Sequence, residues 1–339
     1  MSGLYLESGY LNQEYIYKTA AGSGCSFIVE IGGRQVGKTY GAIQHTLNRG
    51  DPFLYMRRTQ AEIDFISAGI GSPFSEHDES ITTKKAGRYT AEIRRGEEHI
   101  GIMAGLSSMA KIRGFSWHDI KTVIYDEFIP ERHVARIREE GDAFLNAMIT
   151  VTGNRELQGE LPPMVWLLAN PNLHSNPITD ALGIATAFDR METRGKEISI
   201  LQEKGIVLVR PSSEAIMERR RHTAVFRAAG TDSELARMAL GNEFAYDDST
   251  GVGSANIREY SAVVSVMGYV TIWQHKSRSD LYITDCMGEL GSVYYNNAPD
   301  LESFGTLWSP VIRAGERNHK IIYQSMEIKD RVNKLTYRI

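Results

Sequence analysis

Residues 25–47, CSFIVEIGGRQVGKTYGAIQHTL, constrain this chain more than any other stretch. The apolar run from Cys25 to Ile31 predicts a buried strand, and it leads directly into GGRQVGKT, which fits G-x-x-x-x-G-K-[ST] with Gly32, Gly37, Lys38 and Thr39 at the fixed positions. Beyond the loop, Ala42, Ile43, Thr46 and Leu47 recur at helical spacing. Strand, loop and helix in that order are the context a phosphate cradle needs. Glycines let backbone N–H groups turn inward around phosphate oxygens, and the positive end of the following helix faces the same anion. The expected nucleotide contacts are therefore Gly32, Gly33, Arg34, Gln35, Val36, Gly37, Lys38, Thr39 and Tyr40. Lys38 is expected to place a cation at the β- and γ-phosphates of ATP, and Thr39 to give its hydroxyl to Mg2+. The competing reading is a glycine-rich turn that binds nothing.

A second stretch answers the first. Thr122 to Tyr125 is apolar and β-branched and ends in Asp126-Glu127, about ninety residues downstream of the loop. Paired acids at the end of a strand beside the P-loop strand suit an ATPase: Asp126 holds Mg2+ through water, and Glu127 orients or deprotonates the attacking water. The run Val165 to Ala169 predicts another buried strand, closed by Asn170-Pro171. Asn170 is either a sensor of the γ-phosphate or a plain turn asparagine.

The length of 339 residues predicts two or three domains, and 42% hydrophobic with 24% charged residues is ordinary for a soluble globular protein. No early basic segment precedes an apolar core with a cleavage site, and no apolar run approaches about 18 residues, so neither secretion nor membrane spanning is expected. Cys25 and Cys286 lack metal-like spacing, which argues against a zinc site or disulfide framework and fits a reducing compartment. A net charge of −4 argues against a uniformly basic coat for nucleic acid, while leaving room for local basic contacts.

Those local contacts have candidates. Arg57 and Arg58 follow the apolar run Phe53 to Met56 and sit at a strand end, where they either touch phosphate or form a solvated pair. Residues 80–106 read as three short strands in a meander, with Lys84, Lys85 and Arg88 on its first turn. That turn is a solvated face or a grip on a phosphate backbone. At the N-terminus, Tyr5, Tyr10, Tyr15 and Tyr17 are expected chiefly to pack as a cap, with an aromatic beside adenine as the alternative. Residues 131–150 read as mostly helical, residues 172–209 as loop and strand, residues 212–245 as helical, and residues from about 250 as period-two strands.

With these motifs in place, the chain resembles the genome-packaging motor ATPases of tailed bacteriophages, most closely the compact phi-twenty-nine-like type related to large terminases. The resemblance is carried by FIVEIGGRQVGKTYGA, FLYMRR, IRGFSWHDIKTVIYDEFI, the triplet Asn154-Arg155-Glu156, WLLANP, and ERRR leading to Gly241-Asn242-Glu243-Phe244. It implies an α/β fold of ASCE P-loop type with a mainly parallel central sheet over residues 1–210. A helical linker over 211–248 and a small α/β or β-rich, RNase H-like domain over 249–339 would follow. It implies a homo-oligomeric ring, a pentamer, acting in the host cytoplasm at the portal vertex of a procapsid. There it would thread double-stranded DNA inward with ATP and Mg2+, in contact with the portal (connector) protein and a structural RNA, and with no membrane. Lys38, Thr39, Asp126, Glu127 and Asn170 take the family's site roles. The arginine-finger place falls to Arg155, with Arg113 and the Arg136/Arg138 pair behind it, against the reading that Arg155 is structural. After residue 250 the acids are scattered, so the last domain is expected to be a vestigial nuclease used for docking. The rival readings are another P-loop translocase or helicase, and a nucleotide-switched interaction protein.

Overall fold

Strands covered on both faces need no polar alternation, and this explains the unbroken apolar runs of the first unit. The structure, a computed structural model, describes residues 3–68, 72–112, 117–130, 134, 137–171, 176–211, 214–229, 251–266, 270–287 and 293–336. The chain divides into two units, Met1–Gly183 with Arg190–Tyr246, and Ile184–Asp189 with Asp247–Ile339.

In the first unit the elements run α1 (Gln13–Gly22), β1 (Phe27–Ile31), α2 (Lys38–Arg49), β2 (Phe53–Arg57), α3 (Gln60–Ser67), β3 (Ile81–Lys85), β4 (Ala91–Arg95), β5 (Glu98–Gly105), α4 (Leu106–Met109), β6 (Thr122–Asp126), α5 (Glu140–Thr152), β7 (Met164–Ala169) and α6 (Pro177–Leu182). Next come α7 (Ala185–Thr193), whose start groups with the second unit, then β8 (Ile198–Leu201), β9 (Ile206–Val209), α8 (Glu214–Arg221) and α9 (Ala224–Ala229). Among the described residues nine strands form one sheet in the order β3-β4-β5-β2-β6-β7-β1-β9-β8. The pairs β5/β2, β2/β6, β6/β7, β7/β1 and β1/β9 are parallel, and β3/β4, β4/β5 and β8/β9 are antiparallel edges. Every residue of β6 and β9 is buried. Ile28, Ile43, Tyr55, Ile63, Ile124, Trp166 and Val207 belong to one apolar cluster that welds the sheet to its helices.

One expectation changes here. The strand bearing Asp126 does not lie beside the P-loop strand, because β7 is inserted and pairs with both, Ile31 opposite Ala169 and Asp126 opposite Leu168. The carboxyl ends of β1, β7 and β6 still finish level. In open parallel sheets that edge is where ligands collect. Residues 172–209, expected as loop and strand, also contain two helices, α6 and α7. The first of them is announced by Asn176 at its N-cap, accepting from the backbone N–H groups of Ile178 and Thr179, with Pro177 in its first turn.

The second unit contains β10 (Tyr260–Val266), β11 (Val270–His275), β12 (Leu281–Thr284), β13 (Val293–Tyr295), α10 (Ala298–Arg317), β14 (Ile321–Tyr323) and α11 (Met326–Thr336). Its sheet has the order β13-β10-β11-β12-β14, antiparallel through β10-β11-β12 and parallel at both edges. Val264, Ile272 and Ile283 from the sheet pack with Phe304, Ile312, Ile328 and Val332 from the two helices. Of the expected linker, residues 230–248 lie outside the described residues, and α8 and α9 group with the first unit.

Candidate functional site

The P-loop turns because two of its residues adopt left-handed backbone. Gln35 has φ 62° and Gly37 φ 92°, the latter serving as N-cap of α2. A Cβ on Gly37 would stand 3.3 Å from Cβ of Tyr10, so the loop's tight seat also requires glycine there. The Gly32 N–H donates to the Ala169 carbonyl at 3.2 Å, and the Leu11 N–H donates to the Val36 carbonyl at 3.0 Å, tying the loop to β7 and to the N-terminal segment.

Lys38 opens α2 and points back across the loop. Its ammonium donates to the carbonyls of Gly32 and Gly33, both at 2.7 Å, and to Oδ1 of Asn170 at 3.3 Å. Burial pushes its pKa down to about 8, against the opposing pull of Glu30 and Asp126. Thr39 Oγ1 donates to Asp126 Oδ1 at 2.8 Å. A hydroxyl and a carboxylate held together are the hard oxygen donors that suit Mg2+. Among the described residues no cluster of three or more His, Cys, Asp or Glu has metal-holding geometry. Thr39 and Asp126 thus fit a cation that keeps most of its ligands from water and phosphate, as Mg2+ does.

The acids are held from β2. Met56 pairs with Tyr125 across β2 and β6, so Tyr55 and Arg57, which share one face of β2 by its two-residue period, flank the end of β6. Tyr55 donates its hydroxyl to Asp126 Oδ2 at 2.9 Å, and Arg57 Nη1 donates to the same oxygen at 3.2 Å. Arg57 Nη2 is also paired with Glu127 and lies 3.2 Å from Glu62 Oε1. Burial works against the charge of Arg57, but Tyr55, Asp126, Glu127 and Glu62 outweigh it and raise its pKa above the ordinary value. Glu127 itself is exposed and takes a left-handed backbone, φ 53°, a conformation that costs a non-glycine residue about 1 kcal/mol or more. Arg34, Gln35, Gly37, Lys38, Thr39, Tyr40, Asp126, Glu127, Ala169 and Asn170 line a single cavity of about 260 Å³.

Several expected residues land elsewhere. Arg155 is 3% exposed, and its guanidinium donates to the carbonyls of Ile120 at 2.6 Å, His118 at 2.7 Å and Trp117. An arginine spent on three carbonyls of its own chain cannot reach a neighbour's nucleotide, so the finger reading of Arg155 is corrected to a structural one. Arg58 is 2% exposed and pairs with Glu140, Nε to Oε1 at 2.6 Å and Nη2 to Oε2 at 3.0 Å, which removes it from the DNA candidates. Arg57 is corrected likewise, since its donors are committed to the site acids. Lys84, Lys85 and Arg88 are exposed on the β3–β4 hairpin, with Lys85 3.3 Å from Asp64. Arg138 is exposed beside Glu139, whereas Arg113 and Arg136 lie outside the described residues. Among the tyrosines, Tyr5 pairs with Glu197 and Tyr17 packs 4.7 Å from the His45 ring, as a cap does, while Tyr10 stays 43% exposed.

Comparison with known proteins follows the same lines. The family model of the podovirus DNA encapsidation protein (Gp16) matches residues 25–303. No curated protein matches. The fold is similar to a chain of the bacteriophage Phi-29 viral genome packaging motor assembly, at 19% identity over 99% of both chains with a TM-score of 0.64. It is also similar to the Phi-28 gp11 DNA packaging motor, at 14% identity over 97% of this chain and 99% of that one, with a TM-score of 0.59. A family match that begins at the P-loop strand and runs on into the second unit covers most of the chain, and the chain accordingly belongs to the podovirus DNA encapsidation proteins (Gp16), ATPases that package phage DNA.

Proposed function

We propose that the cavity at the ends of β1, β7 and β6 is the ATP site of a DNA-translocating ring motor. The observation that carries this is the convergence of Lys38, Thr39, Asp126, Glu127 and Asn170 on one cavity, from three strands whose ends are far apart in sequence. In this reading the backbone N–H groups of the loop and the start of α2 cradle the phosphates. Lys38 exchanges the Gly32 and Gly33 carbonyls for β- and γ-oxygens, and Asn170, now its amide neighbour, registers the terminal phosphate. Glu127 accepts the proton of the attacking water once Arg57 lets go of it; while that pairing holds, its carboxylate is not free to act as base. Mg2+ bound with the nucleotide neutralises charge on the phosphate oxygens, and Thr39 and Asp126 are the residues that would hold it.

The finer assignments follow the family. The copies assemble as a homo-oligomeric ring, a pentamer, at the portal vertex of the procapsid in the host cytoplasm, and meet the portal protein and a structural RNA. An arginine from a neighbouring copy completes the site, and Arg113, Arg136 and Arg138 are the remaining candidates. The second unit acts as a docking module related in shape to a nuclease.

DNA is held through phosphate, since a motor must slide over every sequence. Lys84, Lys85 and Arg88 on the exposed hairpin are the proposed grip. Replacing all three with alanine is expected to lower the slope of log affinity against log salt by about 2 to 3, roughly 0.9 for each phosphate no longer neutralised, with little change in thermal stability. An unchanged slope in a salt titration of duplex binding removes the hairpin from the DNA path. The function itself is tested by ATP hydrolysis with and without duplex DNA. Stimulation that falls steeply with salt and vanishes in Lys38→Ala is expected; hydrolysis indifferent to DNA would sink the motor reading.

A further inference from the structure

Glu30 is the unexplained charge of the first unit. It lies on β1, flanked by β7 and β9, is 0% exposed, and stands two residues before Gly32 of the P-loop. Fully buried carboxyl groups are rare unless paired with a cation, and among the described residues this one has no salt bridge. Its Oε2 accepts from Gln13 Nε2 at 3.0 Å, while Oε1 has no hydrogen-bond partner among the described residues. Burial raises its pKa to about 8, with Gln13 and Lys38 pulling the other way.

Gln13 is the link. It is 4% exposed on α1, and its Nε2 is also 3.4 Å from the carbonyl oxygen of Lys38, the first residue of α2. Room for it is made on the helix opposite: a Cβ on Gly41 would stand 2.6 Å from Gln13 Cγ. Glycine inside a helix costs about 1 kcal/mol relative to alanine. Three positions far apart in sequence are thus given over to placing one amide behind the P-loop lysine. A polar pair buried only for stability has no need of this, because apolar side chains of the same shape serve a core as well or better.

We propose that Gln13 and Glu30 are positioning residues for Lys38, Gln13 pinning the main chain of the lysine from behind and Glu30 holding that amide in place. The proposal rests on the nucleotide-site reading and assigns that site a support from α1, an element outside the P-loop motif. Glu30 touches no nucleotide atom in this scheme. Its effect passes through Lys38.

The test is the double variant Gln13→Leu/Glu30→Leu, which replaces the polar pair with apolar side chains of similar size. A merely structural pair leaves both thermal stability and ATP affinity near wild type. A positioning pair leaves stability near wild type but raises Kd and KM for ATP about tenfold, with kcat at saturating ATP within about twofold. Glu30→Gln, which keeps an acceptor for Gln13, is expected to fold with Kd near wild type, whereas Glu30→Leu, which removes that acceptor, is expected to raise Kd about threefold. Wild-type affinity in Glu30→Leu overturns the proposal whatever the double variant does. Lys38→Ala in the same titration separates the two levels. If it binds ATP as well as wild type, the nucleotide-site reading falls and this proposal with it; if it loses ATP while both pair variants keep it, this proposal alone falls.

Discussion

Glu127→Gln is expected to cut ATP turnover by about 10²- to 10⁴-fold while leaving ATP affinity within a few-fold of wild type, since general-base assistance supplies a factor of that order. Glutamine preserves the size of the side chain and can still accept one hydrogen bond from Arg57, so the fold of the loop after β6 is kept. What is lost is the ability to take a proton from water. Single-turnover hydrolysis beside a nucleotide-binding titration checks both halves. Loss of binding would mean that the charge of Glu127 serves to neutralise Arg57 rather than to activate water, and equal turnover would remove it from the chemistry. Arg57→Ala is the informative companion, because it frees Glu127 but also strips Asp126 of a partner. Faster basal hydrolysis in that variant would identify the pairing as a brake, and slower hydrolysis would identify it as a support for Asp126.

Arg155→Ala is expected to destabilise the fold by about 2–5 kcal/mol, since a buried carbonyl left without its charged donor costs about 1–3 kcal/mol. The carbonyls of Trp117, His118 and Ile120 lose the guanidinium together; that of Trp117 keeps the Ile120 N–H, and an alanine offers the others nothing in return. Those carbonyls belong to the turn that feeds β6, so the damage propagates to the strand that ends in Asp126. Arg155→Lys should recover little, because an ammonium cannot reproduce the planar fork. Urea unfolding of the two variants measures this. A trans-acting finger predicts the opposite, normal stability with impaired hydrolysis, and that result would reverse the structural assignment.

Much of the first unit is readable because parallel sheets leave plain marks. The apolar runs at Phe53 to Met56, Thr122 to Tyr125 and Val165 to Ala169 form β2, β6 and β7, and each leads into a polar residue that reaches the site. What sequence could not supply was direction and depth. Arg155 takes the arginine-finger place in the sequence, yet its side chain folds inward, and nothing in neighbouring residues records that. Arg57 and Arg58 read as a matched pair, whereas adjacent strand residues face opposite ways. The alternation of Tyr55 and Arg57 on one face of β2 is the signal that finds the clamp on Asp126. Glu30 is the converse: a charge in an apolar run announces that something is unusual, but not which residue it answers to. Gln13 does so from a helix that carries no motif at all.

The strand inserted between β1 and β6 has a mechanical consequence. Neighbouring strands stand about 4.8 Å apart, so the backbones of β1 and β6 are about 10 Å apart, with the tip of β7 midway between them, and side chains such as Thr39 and Asp126 close the gap. Asn170 stands on that tip, and through the Ala169 carbonyl and Leu168 the same strand grips the mouth of the loop and the backbone after Asp126. A substitution at that tip is therefore felt by the lysine ammonium and by the backbone after the acids together, since Asn170 meets Lys38 and Leu168 meets Phe128.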